Sequence, residues 1–127
     1  MSLQTPLGRF LGHGSARDGT EHWWMQRINA VALVPLCLWF VVTLATLANY
    51  EYATILLWVT QPFNAIMLIL LLMAVLYHSL LGLQVVVEDY VHTDWTKVSI
   101  LMLFKLVHIA LGVAAIYSIL TISTGAA

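Results

Sequence analysis

Three ionisable side chains stand in stretches otherwise made of apolar residues: His78, Lys105 and His108. Such groups carry a heavy solvation cost away from water, and by default they mark function. His78 opens the segment richest in possible chemistry, Tyr77-His78-Ser79-Leu80-Leu81-Gly82, which continues to Glu88-Asp89-Tyr90. Imidazole is a good axial ligand for haem iron. Gly82, one helical turn on, removes a side chain from the same face, where a flat macrocycle could approach the backbone. The same pair also suits a neutral histidine bonded to a neighbouring helix, with glycine easing the packing. Spacing does not choose between the two. Asp89-Tyr90 sets a carboxylate beside a phenol, which can donate to a carbonyl of the quinone type while the acid orients a cation or passes protons. The plainer reading is an interfacial tyrosine next to a solvated acid. His108, thirteen residues past Trp95, falls at a depth similar to His78, so two histidines on adjacent helices could clamp one haem within this chain. Lys105 can snorkel toward an interface. Packing or hydrogen bonding is the favoured role for both.

Positioning these groups falls to helices. On a helix Asp89 lies eleven residues from His78, three turns plus about 20°, so both point the same way, separated by roughly 16 Å along the axis. With Asp89 at a membrane surface, His78 lies near the midplane, because half a hydrocarbon core is about 15 Å. Composition supports a membrane setting: 61% of the 127 residues are hydrophobic and 9% charged, far from the balance of a soluble domain. Uncharged runs occupy 28–50, 52–87 and 106–127, each long enough for a spanning helix of about 20 residues. They lack the alternation of a membrane strand. The expected fold is an all-α integral membrane protein with three transmembrane helices, spanning about 28–48, 62–87 and 96–122.

Arg9, Arg17 and Arg27 precede the first span, no Lys or Arg lies between spans one and two, and Lys97 lies between two and three. The positive-inside rule then places the N-terminus in the cytoplasm and the C-terminus outside. Cys37 is the only cysteine, which rules out an intramolecular disulfide and a thiolate-held zinc or iron–sulfur centre. A redox metal held by this chain would have to use histidine. Residues 1–27 read as a cytoplasmic N-terminal segment, a reading favoured over a mitochondrial transit peptide, and 123–127 as a tail. His22-Trp23-Trp24-Met25-Gln26-Arg27 combines interfacial indoles with an anchoring cation. Tyr50 to Gln61 is aromatic at its edges and apolar within, as expected of a segment lying along the opposite interface. Gln61-Pro62 signals a helix start, and Pro35 is placed to bend the first span mildly.

Taken together, Trp24-x-x-Arg27, His78, Gly82 and Asp89-Tyr90, in a chain of three spans, resemble the hydrophobic membrane-anchor subunits of succinate dehydrogenase, respiratory complex II. The resemblance covers nearly the whole chain. It implies packing against a second three-helix cytochrome b anchor subunit, beneath an iron–sulfur subunit and a flavoprotein subunit. It further implies that His78 is one axial ligand of a haem b whose other ligand comes from the partner anchor, with Gly82 at the haem approach. By the same resemblance Tyr90 bonds a ubiquinone carbonyl, Asp89 supports that site, and Arg27, with His22, lies near the haem propionates. The expected location is the bacterial inner membrane, ahead of the mitochondrial one. Two alternatives remain: a cofactor-free structural anchor, and a small cytochrome b using His78 and His108 together.

Overall fold

The computed structural model describes residues 17–125, with side chains described from Trp23 onward. Among them are four helices and no strand: α1 Arg17–Ala45, α2 Tyr52–Thr60, α3 Pro62–Tyr90 and α4 Asp94–Ser123. Three are long and apolar enough to cross a membrane; α2, with nine residues, reaches only about 13 Å. The all-helical, three-span architecture is the expected one. The helices run further than the apolar spans, because their ends extend into polar sequence. α1 begins eleven residues before Ile28, α3 continues through Tyr90, and α4 begins at Asp94, whose carboxylate suits the positive end of a helix. Pro62 occupies the first turn of α3, as Gln61-Pro62 signals.

Neighbouring helices are antiparallel, and pairs of contacts fix their register. At one end of the α1/α3 pair, the ring of Trp39 sits 6.2 Å from that of Phe63. Further along, the Asn29 side chain donates to the Ala74 carbonyl at 2.9 Å. Ten residues back along α1 thus correspond to eleven forward along α3. On the other flank of α3, Ser79 meets His108, and Leu76 lies against Gly112, where an added Cβ would come within 3.3 Å of its Cδ1. A residue without a side chain is what lets α4 approach that closely.

The helices form an open row rather than a closed bundle. α3 is central and touches α1, α2 and α4, while α1 and α4 make no contact with each other among the described residues. Short α2 closes one end of the row. Trp58 stacks on Trp39 at 5.9 Å and lies 6.4 Å from Phe40, and Asn64 at the start of α3 donates to the Trp58 carbonyl. The aromatic segment Tyr50 to Gln61 is thereby pinned across the helix ends. At the far end Lys97 of α4 donates to the Glu88 carbonyl in the last turn of α3, satisfying a group the helix leaves unpaired. Such a row has almost no interior: Val59, Ala65, Leu71, Leu81 and Val87 are the buried apolar residues among those described.

Candidate functional site

α3 carries the site, and the row determines which of its faces is free. α4 meets it on the Leu76 and Ser79 side; α1 meets it on the side of Leu70, Ala74 and Tyr77. At 100° per residue, His78, Gly82 and Asp89 lie within about 40° of one another, between those two contacts. The opposite free face is apolar and carries Met73, which lines grooves toward both neighbours. The helix therefore has two open faces, and the one with metal-ligating and acidic chemistry is separate from the one without.

His78 is half-buried, and its Nδ1 is fully enclosed with no hydrogen-bond partner. A buried polar atom left unpaired costs about 1–3 kcal/mol, so a native structure seldom tolerates one without a reason. Beside it, an added Cβ at Gly82 would meet no atom within 4 Å. The absent side chain therefore opens onto space and relieves no contact with α1 or α4. An unengaged imidazole next to bare helix backbone is a group ready to bind a ligand from outside the chain.

His108 is the opposite case. Its Nδ1 lies 2.7 Å from the Phe104 carbonyl and its Nε2 3.3 Å from the Ser79 hydroxyl. A carbonyl only accepts, so Nδ1 carries the proton and Nε2 accepts from Ser79. Both nitrogens are engaged, in agreement with a packing role and against a clamp formed with His78. Lys105 is exposed, in a shallow groove with Val98, Leu101 and Met102 on α4.

Asp89 and Tyr90 end α3, about 18 Å along the axis from His78 in the case of Tyr90. Both are exposed, and Tyr90 retains 79% of its surface, so nothing in the chain walls it in. Neither side chain has a hydrogen-bond partner among the described residues. The binding groups are present here, but any pocket must be completed by another surface.

Arg27 lies well short of the Tyr90 end of the row. The register set by Asn29 and Ala74 puts its Cα level with Leu76 and Tyr77, and its guanidinium sits over the Trp23 ring, 4.0 Å from the centroid. Trp23 is one turn back, which brings the charge level with about Leu80, roughly 3 Å beyond His78 toward the Tyr90 end. The guanidinium thus sits about 15 Å short of Tyr90 along the axis, much nearer the imidazole. The side chain of His22 lies outside the described residues. Asn29, to which sequence reasoning gave no role, emerges as a polar link between α1 and the turn preceding His78. An amide two residues into an apolar helix was the available signal.

A family model for the succinate dehydrogenase/fumarate reductase transmembrane subunit matches residues 1–116. Among curated proteins, the chain is 38% identical over 108 residues to a succinate dehydrogenase hydrophobic membrane anchor subunit of Rickettsia bellii, covering 84% of this chain and 85% of the relative. It is 34% identical over 108 residues to the subunit so named in Rickettsia conorii, covering 82% and 86%. With the Paracoccus denitrificans subunit of the same name it shares 29% over 128 residues, covering 99% and 97%. No solved structure matches it.

Proposed function

This chain belongs to the succinate dehydrogenase/fumarate reductase transmembrane-subunit family, as a membrane anchor of the dehydrogenase, and we propose that it ligates haem b and helps build the ubiquinone site. It is a multi-pass inner-membrane protein that associates with the other subunits of a quinone oxidoreductase complex. The observation that carries the proposal is the unpaired, enclosed Nδ1 of His78 beside the open space at Gly82.

His78 would hold the haem iron through its imidazole, and Gly82 would leave the macrocycle room beside α3. Arg27, with its charge about two residues beyond His78 toward the Tyr90 end, serves the propionates. With both nitrogens of His108 engaged, a second ligand for the haem would come from a partner cytochrome b anchor, as in the resemblance. Haem b, when bound, supplies a one-electron store at mid-membrane depth. At the end of α3 Tyr90 donates a hydrogen bond to a ubiquinone carbonyl, stabilising the negative charge that builds on that oxygen as electrons arrive. Asp89, beside it and open to water, relays protons. Two electrons from the iron–sulfur subunit and two protons convert quinone to quinol. The flavoprotein subunit oxidises succinate, because this chain has neither flavin nor cluster ligands. The distribution of basic residues supports a cytoplasmic Tyr90 end, the side on which the peripheral subunits would dock.

The test is the reduced-minus-oxidised spectrum of the purified complex with His78→Ala. The expected outcome is loss of the bis-histidine haem signal from a complex that keeps its subunits; an unchanged spectrum overturns the ligand assignment.

A further inference from the structure

His78 and His108 sit at similar depth on adjacent apolar helices, yet only one is bonded to its own helix. His108 donates from Nδ1 to the carbonyl four residues before it. The equivalent acceptor for His78 is the Ala74 carbonyl. That oxygen already accepts the backbone N–H of His78, as in any α-helix, and also takes the Asn29 amide at 2.9 Å. A carbonyl oxygen has two lone pairs. Both are occupied, and the Nδ1 of His78 is the one enclosed side-chain nitrogen or oxygen left without a partner among the described residues.

We propose that Asn29 is a positioning residue for the haem: by occupying the Ala74 carbonyl from α1, it denies His78 the back-bond that His108 makes and thereby sets the electron affinity of the iron. The inference rests on His78 being the axial ligand. A hydrogen bond from the distal ring nitrogen to a carbonyl raises the basicity of a metal-bound imidazole. A more basic ligand favours the more highly charged ferric state and lowers the reduction potential. Withholding that bond keeps the ligand weakly basic and the haem easier to reduce. α1 thus acts on the iron without touching it, through one carbonyl of α3.

The experiment is a redox titration of haem in the purified, intact complex carrying Asn29→Leu, which matches the amide in size but has no donor, and Asn29→Gln, which keeps one. In Asn29→Leu the freed carbonyl accepts from His78. The oxidised-to-reduced ratio at a fixed potential then rises about tenfold, a fall of about 59 mV for a one-electron couple, at unchanged haem content. Asn29→Gln stays near the wild type. An unchanged or raised potential in Asn29→Leu overturns the inference. So does loss of haem from that variant, which would make the amide simply a brace between helices. A wild-type complex without haem would instead refute the ligand assignment itself.

Discussion

Replacing Gly82 separates the folding of this chain from the loading of its proposed cofactor. Among the described residues, no atom beyond its own stretch of helix backbone lies within 4 Å of a Cβ built at that position, and its backbone is helical on both sides. Alanine there meets no clash and gains about 1 kcal/mol of helix propensity over glycine, so Gly82→Ala should be neutral or stabilising for the chain. Gly82→Leu starts from the same open Cβ position. The outcome changes if a macrocycle lies against the Gly82 backbone, because apolar groups in contact sit about 4 Å apart and a leucine fills that layer. Overpacking costs about 1–3 kcal/mol, which corresponds to roughly 5- to 150-fold weaker retention of the ring. The assay has two readouts on one preparation: the amount of this chain in the membrane, and haem per flavin in the purified complex from its difference spectrum. The expected result is a normal amount of chain with depleted haem in Gly82→Leu. Full haem with an unaltered spectrum in that variant would refute the placement of the ring at Gly82. Loss of the chain itself would refute the reasoning that the space is open.

Tyr90→Phe removes one hydroxyl from a residue that nothing in the chain covers. A neutral hydrogen bond contributes about 0.5–1.5 kcal/mol, so quinone reduction should fall about 2- to 10-fold in kcat/KM. Succinate oxidation by the same preparation with an artificial acceptor should be unchanged; equal quinone kinetics would remove Tyr90 from the site. His108→Leu breaks the bonds to Phe104 and Ser79, weakening the α3–α4 pair by about 0.6 kcal/mol in a denaturation series. It should leave the haem spectrum intact, whereas loss of haem would restore the clamp between His78 and His108.

Length and charge spacing were enough to find the spans, because the bilayer sets a minimum run and few residues interrupt it. Pro62 was legible for a local reason, its ring being tolerated in a first helical turn. How far α1 extends before Arg27 was not. An apolar run marks where a helix is lipid-compatible, and α1 begins well before that run, so the cation sits inside the helix rather than at its start. The similar depth of His78 and His108 followed from residue counting, and the register that joins His108 to Ser79 agrees with it. Which histidine is bonded and which is not depends on Asn29 reaching across to one carbonyl. That is a property of two helices together, and periodicity within either helix carries no trace of it. The open row belongs to the same class: short loops dictate antiparallel neighbours but not whether the outer two meet.

That open row bears on how the cell handles the protein. With five apolar side chains buried among the described residues, the chain has little interior to distinguish a finished product from one still being made. Anything that binds only the folded form stabilises it by mass action, so its lifetime rises and falls with the supply of subunits to pack against. The sparse interior thus leaves most of the stability of this chain to be supplied by what packs against it.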